Sequence, residues 1–216
     1  MAMTLSNASK AGIALFVGAV QFGISLVLAE IYYSAYGPLN VSASGNSTGY
    51  AYSVYNNYIS DLGALCRTTC TAVPSALLFD TSIIILGLLI LAAAYFLQQG
   101  FHWKPATAMI AIAGIGALGV GLFPETTGIW HHIFSLITFL FTGLAALVTA
   151  RFQKKPMFYF SIILGLATLA ALFLYIGSEY AGLGPGGMER MIVYPVLLWA
   201  IGFGGHLMAS EDPRTA

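Results

Sequence analysis

The sequence predicts an all-α integral membrane protein, a bundle of six transmembrane helices with one long outer loop at about residues 37–74. Two observations predict this class. Of the 216 residues, 58% are hydrophobic and only 7% are charged, whereas about a quarter of the residues in an ordinary soluble domain carry a charge. The apolar residues also occur in runs long enough to cross a bilayer, at roughly 20 residues per crossing. Six spans and their loops use up the chain, so we expect residues 1–216 to form a single membrane domain.

The spans are predicted where a window of about 19 residues is predominantly apolar and is bounded by polar, Pro or Gly residues. The first run follows Lys10, but it is too long for the core of a signal peptide and lacks an A-x-A cleavage site, so we expect a retained helix. In the third run, Ala113, Ala117 and Gly121 recur every four residues, which indicates close helix packing. The predicted spans lie at about 12–35, 75–98, 106–123, 129–150, 157–177 and 190–208.

The distribution of cations predicts the orientation in the membrane. With the N-terminus in the cytoplasm, only Arg67 and Arg190 fall outside, which satisfies the positive-inside rule. An even number of spans returns the C-terminus to the cytoplasm. We therefore predict a multi-pass protein of the cell membrane with both termini cytoplasmic and the 37–74 loop outside. The cations predicted inside are Lys10, Lys104, Arg151, Lys154, Lys155 and Arg214.

The charge balance limits the classes of partner. Eight Lys and Arg residues balance eight Asp and Glu residues, and nucleic-acid binding depends on an excess of cations. We therefore expect no nucleic-acid partner. The expected partners are membrane lipids and, if the protein is a subunit of a larger membrane complex, other membrane subunits.

The predicted outer loop carries two kinds of modification signal. Asn40 and Asn46 each begin a glycosylation sequon, and whether either is glycosylated stays open. Cys66 and Cys70 are the only two cysteines, and in a helical turn their Cα atoms would lie roughly 6 Å apart, which is within reach of a disulfide. Because the exterior is oxidising, we predict a disulfide between them. The alternatives are a pair of buried thiols and, less favoured, metal ligation.

Ionisable residues crowd the outer half of the predicted bundle. Ser60 and Asp61 lie in the loop, and Asp80 lies roughly 9 Å below the start of the second span. An ionised carboxylate at the bilayer centre costs about 2.5–3.5 kcal/mol on insertion scales, so Asp80 should face a cavity or a partner. We predict Arg190 as its counter-ion. The alternative is a carboxylate that reaches the membrane interface or a neighbouring hydroxyl.

His131 and His132 come one turn into the fourth span. Adjacent helical residues point about 100° apart, so only one of these two can face the centre of the bundle. That histidine is a candidate general base, and together with carboxylates from other helices it is a candidate ligand for a divalent metal such as zinc. The candidate metal ligands are His131, His132 and Asp80. The alternative is an interfacial histidine that faces lipid headgroups.

Glu189 and Arg190 open the predicted sixth span after a glycine-rich loop. Glu189 either caps the helix start, where an acidic residue meets the positive end of the helix dipole, or takes part in acid–base chemistry. The guanidinium of Arg190 is suited to a phosphate or a carboxylate. We expect one polar cluster near the outer surface. Its candidate catalytic residues are Asp80, His131, His132 and Glu189, and its candidate substrate-binding residues are Ser60, Asp61 and Arg190.

Three motifs carry a resemblance to a known family: NNYISDLGALC before the second span, FPETTGIWHHIFS before the fourth, and GGMERMIVYPVLLW at the sixth. Together they resemble the archaeal and bacterial membrane proteins known as domain of unknown function 998, over most of the chain. The resemblance implies a six-helix protein and brings no activity. A much fainter similarity to alkaline ceramidases and adiponectin receptors rests on outer Ser, Asp and His residues. It serves as an analogy only, because their seventh helix and spaced histidine pair are missing.

The favoured function is an enzyme acting on a lipid or prenyl substrate at the outer leaflet, because several ionisable residues converge at one depth. The first alternative is a non-catalytic subunit that buries its outer face in a larger membrane complex. The second is a small transporter, against which no span is broken by Pro or Gly around a midplane charge. A metal or an ordered lipid among the polar residues would favour the enzyme, and coverage by other chains would favour the subunit.

Overall fold

The computed structural model describes residues 5–36, 52–64, 74–102 and 104–209. Within them the chain forms six α-helices and no β-strand, and all six helices are long and apolar enough to cross a membrane. This confirms the predicted all-α, six-helix class. Two short 3-10 turns, Ser60–Gly63 and Glu125–Thr127, lie between helices. The helices are α1 Asn7–Tyr36, α2 Pro74–Phe101, α3 Lys104–Leu122, α4 Ile129–Ala150, α5 Met157–Ile176 and α6 Gly184–Ala209.

Two helices begin earlier than the hydropathy pattern predicts. α1 begins at Asn7, because the Ser6 hydroxyl accepts a hydrogen bond from the amide of Ser9 at 3.0 Å and caps the first turn. α6 begins at Gly184 rather than at residue 190, because the following Pro185 suits the first turn of a helix. Hydropathy averages miss both starts, since the residues there are small or polar. Glu189 therefore lies in the second turn of α6, and the alternative in which it caps the start of the helix is wrong.

The six helices form a closed ring. Each helix packs against the one before it and the one after it along the chain, and α6 returns to pack against α1. A ring of six helices leaves space along its axis, because helices on opposite sides are too far apart to fill the centre with side chains. α4 and α6 make only a slight contact across this space.

The closure of the ring between α1 and α6 depends on two facing glycines. A Cβ on Gly12 would come within 2.5 Å of the Gly204 carbonyl oxygen, and a Cβ on Gly204 would come within 2.7 Å of the Gly12 carbonyl oxygen. Any other residue would push the two backbones apart. The packing predicted for the third span also occurs, because Ala113 and Ala117 are buried and Gly121 lies against the backbone of α2 at Asp80.

Residues 52–64 close one end of the ring, and we call this segment the plug. Its apolar side chains Ile59 and Leu62 are 3% and 0% exposed, and they pack with Phe22, Phe79 and Val193 from three helices. The end of the bundle that holds the plug is called the plug end below. The ends of α3 and α5 and the starts of α4 and α6 lie at this end, because the chain alternates direction from helix to helix. The plug is the part of the predicted long loop that positions the candidate site.

The remainder of that loop lies outside the described residues. The predicted Cys66–Cys70 disulfide and the sequons at Asn40 and Asn46 fall there, and they stay predictions.

The paired glycines lead to a stability prediction. We expect Gly204→Ala to destabilise the protein by about 1–3 kcal/mol, because the added methyl group meets backbone that cannot rotate away. Gly205→Ala is the matched control, since a Cβ at Gly205 has nothing within 4 Å. Thermal unfolding of both variants in the same detergent measures the difference. Equal melting temperatures for the two variants would contradict the role of this contact.

Candidate functional site

Arg190 ties the plug to the ring. Its side chain is nearly buried, and Nη1 donates to the carbonyl oxygens of Asn57 at 3.0 Å, Gly186 at 2.9 Å and Val54 at 3.3 Å. Nη2 donates to Oε1 of Glu30 on α1 at 3.0 Å. One guanidinium therefore binds the plug, α6 and α1 together. The planar fork of an arginine is suited to this because it offers five donors in fixed directions.

The Tyr52 hydroxyl extends this arrangement into the plug. It accepts a hydrogen bond from Nη2 of Arg190 at 2.6 Å and donates to the Tyr58 carbonyl oxygen at 2.9 Å. The Arg190 guanidinium also lies 5.4 Å from the centre of the Tyr52 ring. Burial raises the pKa of Tyr52 well above its usual range, against the lowering effect of Arg190. The phenol therefore stays protonated at neutral pH and keeps its donor for the Tyr58 carbonyl.

Asp61 organises the plug internally. Its carboxylate is 4% exposed and accepts hydrogen bonds from Nδ2 of Asn57 and from the amide of Tyr58, both at 3.0 Å. Asn57 in turn accepts from the amide of Ser53 at 3.0 Å. These bonds satisfy polar groups that would otherwise be costly to bury. The structure thus places Asp61, a predicted substrate-binding residue, inside the plug, where its hydrogen bonds stabilise the plug backbone.

Glu189 holds the next part of the plug. Its carboxylate accepts hydrogen bonds from the amides of Ile59 and Ser60 at the start of the 3-10 turn. This contact is possible because Gly186, one turn earlier in α6, has no Cβ. A Cβ at that position would come within 2.6 Å of the Val54 carbonyl oxygen. A glycine at that position lets α6 approach the plug backbone closely. The side chain of Glu189 is 6% exposed.

The predicted pairing of Asp80 with Arg190 is wrong. Arg190 uses Glu30 as its ion-pair partner, and among the described residues Oδ1 of Asp80 is buried without a hydrogen-bond partner. Asp80 lies directly below the 3-10 turn, where a Cβ on Gly63 would come within 2.5 Å of Oδ1. The predicted pair does not form because the guanidinium lies against the plug, where it donates to the Val54 and Asn57 carbonyl oxygens.

The two adjacent histidines point in different directions, as expected. His131 is 3% exposed, and its Nδ1 lies 2.9 Å from the Phe123 carbonyl oxygen at the end of α3. His132 is exposed, and its Nδ1 lies 2.8 Å from the Gly128 carbonyl oxygen. The ring planes are nearly perpendicular. His131 is therefore the histidine that faces the interior of the bundle.

The described residues contain no group of three His, Cys, Asp or Glu side chains close enough to hold a metal ion. In particular, His132 faces away from His131, and Asp80 lies under the plug. The predicted zinc site draws no support from this geometry.

A cavity occupies the axis of the ring below the plug. The space within it that the centre of a water-sized sphere can reach is about 80 Å³. Along α4 its lining extends from His131 to Ala145, and along α6 from Glu189 to Ala200. At 1.5 Å per residue these ranges correspond to roughly 15–20 Å of depth. The cavity is therefore long and narrow, with one end at the plug.

Polar groups lie at the plug end of the cavity, and apolar side chains line the rest. Ser60, His131 and Glu189 line the plug end. Farther along α4, the Thr138 hydroxyl donates to the Phe134 carbonyl oxygen at 2.8 Å and the Thr142 hydroxyl donates to the Thr138 carbonyl oxygen at 2.5 Å. Their donors are thus used within the helix. The other lining residues are mostly aliphatic or aromatic, so the cavity is amphipathic along its length.

Two members of this arrangement were not candidates from the sequence. Tyr52 carries no signal beyond its aromatic character, and only the fold brings it to Arg190. Trp199 lines the cavity on α6, and its buried Nε1 has no hydrogen-bond partner among the described residues. The spacing of Ser53, Asn57 and Asp61, four residues apart, is the signal that could have indicated an ordered plug.

These features define the class of the protein. It is a multi-pass helical membrane protein in which six helices enclose an amphipathic cavity and a segment anchored by a buried arginine closes one end. The chain belongs to the family described as "Protein of unknown function (DUF998)", which matches residues 41–206. The match confirms the family resemblance of the three motifs. Comparison with the curated proteins and with the solved structures found no match, and the similarity to alkaline ceramidases and adiponectin receptors is not shown.

The contacts of Arg190 lead to a prediction about the plug. We expect Arg190→Ala to cost about 3 kcal/mol, because it leaves several buried carbonyl oxygens and Glu30 without a donor. Limited proteolysis within residues 52–64 should also become faster. Arg151→Ala is the control, since Arg151 is exposed at the opposite end of the bundle. Cleavage and melting of Arg190→Ala that match those of the control would rule out Arg190 as the anchor.

Proposed function

We propose that the protein takes the hydrocarbon chain of a membrane lipid into the cavity and holds the lipid's polar end at the plug, where His131 can exchange a proton with it. The cavity carries this proposal. Its lining spans roughly 15–20 Å along the helices, a length that suits a hydrocarbon chain. Its lining changes from polar to apolar along one axis, as the two parts of an amphipathic lipid require.

The apolar part of the lining supports a hydrocarbon chain as the occupant. Five helices contribute to this part of the lining, with Phe22, Phe79, Val120, Phe139 and Val196. A chain that enters from the bilayer would exchange one apolar environment for another and lose little. Water would be poorly accommodated there, because it needs two to four polar partners.

The polar end of the cavity supports a more specific proposal, that the protein is an enzyme that acts on the bound lipid. A buried imidazole with a free ring nitrogen is the residue type most often used as a general base. Glu189 lines the same end and positions the Ser60 backbone beside it. On this proposal His131 is the acid–base residue, and Glu189 and Arg190 are positioning residues that hold the plug over the ligand. Asp80 and His132 have no part in it.

The orientation is a second component of the proposal. We propose that the plug end faces the outside and that both termini are cytoplasmic, because five of the six described cations lie at the other end of the bundle. These five are Lys10, Lys104, Arg151, Lys154 and Lys155. The lipid's polar end then lies at the outer leaflet.

Cysteine labelling tests the orientation. In a variant whose two cysteines are replaced by serine, we expect an impermeant maleimide added to intact cells to label Ser178→Cys and not Lys154→Cys. Both residues are exposed, and they follow α5 and α4 at opposite ends of the bundle. Labelling of Lys154→Cys alone would reverse the orientation and place the lipid's polar end at the inner leaflet.

Lipid retention tests the cavity. The full chain is extracted with its surrounding membrane into polymer-bounded discs, washed, and analysed for bound lipids by mass spectrometry. We expect a retained lipid that Ala145→Leu reduces about tenfold, equivalent to about 1.4 kcal/mol, because Ala145 is 1% exposed and lines the cavity. Ala170→Leu, the same change at an exposed position of α5 outside the cavity, is the control. Equal retention by both variants, with both folded, would contradict the proposal.

A further inference from the structure

We infer that the ligand of the cavity is an uncharged long-chain alcohol whose hydroxyl donates a hydrogen bond to Nε2 of His131. This inference rests on the proposed function and names the class of lipid that the same site takes. It follows from the tautomer of one histidine, from the lack of a partner for its second nitrogen, and from the charges around the polar end of the cavity.

The Phe123 carbonyl selects the tautomer of His131. Its oxygen lies 2.9 Å from Nδ1, and a carbonyl oxygen can only accept a hydrogen bond. Nδ1 therefore carries the hydrogen. In a neutral imidazole, Nε2 is then left with a lone pair and acts as an acceptor.

This acceptor is buried and unused by the rest of the described chain. His131 is 3% exposed, its Nε2 has no hydrogen-bond partner, and the residue lines the cavity. Polar groups that are buried without a partner are rare in native structures, because they lose their bonds to water without replacement. A donor supplied by an occupant of the cavity removes this cost.

The surrounding charges exclude an anionic head. No Lys or Arg stands among the described residues that line the cavity. The guanidinium of Arg190 is not part of that lining, and both of its terminal nitrogens donate to Glu30, Tyr52 and three carbonyl oxygens, which leaves only Nε without a partner among the described residues. Glu189, the acidic residue of the lining, offers no donor to a phosphate or a carboxylate, since its carboxylate accepts the amides of Ile59 and Ser60. Phosphate sites are commonly built from cations, and the described residues at this end of the cavity supply none.

An alcohol fits the groups that remain. Its hydrogen satisfies Nε2 of His131, and its oxygen can accept from the Ser60 hydroxyl, which lines the same end. A long-chain amine could also donate to Nε2, but it would bring a positive charge into a largely apolar space. Glu189 is a poor counter-ion for that charge, because its carboxylate already accepts the amides of Ile59 and Ser60.

The inference is tested with lipids that share one chain and differ in the head. The full chain in phosphatidylcholine nanodiscs is titrated with radiolabelled farnesol, and unlabelled farnesol, farnesyl phosphate, farnesoic acid and farnesylamine compete for the site. We expect farnesol to compete about tenfold more strongly than each of the other three, the equivalent of one well-placed hydrogen bond without a charge penalty. A phosphate, acid or amine that competes as well as the alcohol, or better, would overturn the inference.

Two variants connect this preference to the residue. His131→Ala is expected to weaken farnesol binding by about three- to tenfold and to leave the phosphate and the acid unchanged. His132→Ala is the matched control, because that ring is exposed and points away from the cavity. If His131→Ala fails to fold, the competition by the four head groups on the unaltered protein still tests the inference. Absence of binding for all four lipids would refute the proposed function instead, since no chain would then enter the cavity.

Discussion

The contacts of one buried guanidinium determine how this protein closes its cavity. Arg190 donates to carbonyl oxygens of the plug and of its own helix, and its charge is compensated by Glu30 on α1. A plug of irregular backbone at the end of a membrane bundle has carbonyl groups that need donors where little water is present. The arginine supplies several at once. Through it, residues 52–64 are attached to Glu30 on α1.

The ring and the plug depend on each other. Six helices that pack mainly on their neighbours around the ring leave an axial space, and the plug covers one end of this space. The plug in turn needs the ring, since its apolar residues Ile59 and Leu62 find their neighbours on α1, α2 and α6. Small residues at the helix contacts, such as Gly12 and Gly204, keep the ring narrow. The cavity is therefore shaped by close backbone contacts around it.

The polar groups at the plug end of the bundle have separate tasks because they have different partners. The carboxylates of Glu189 and Asp61 accept hydrogen bonds from amides of the plug, so they stabilise the plug. His131 uses one nitrogen for the Phe123 carbonyl and keeps the other for the cavity. The residues predicted to form a single cluster thus fall into an anchoring group around Arg190, a cavity-facing group around His131, and Asp80 under the 3-10 turn.

The sequence by itself determined the class of the protein, the number of its helices and the end of the bundle at which its polar residues collect. These depend on composition and on local runs of apolar residues, because an apolar run of about 20 residues is long enough to cross the bilayer as a helix. Which of His131 and His132 faces inward, and that Glu30 rather than Asp80 neutralises Arg190, were decided only by the tertiary structure. Such contacts join residues as far apart as Glu30 and Arg190 in the chain. Their choice depends on which helices become neighbours when the ring closes, and no local pattern encodes that.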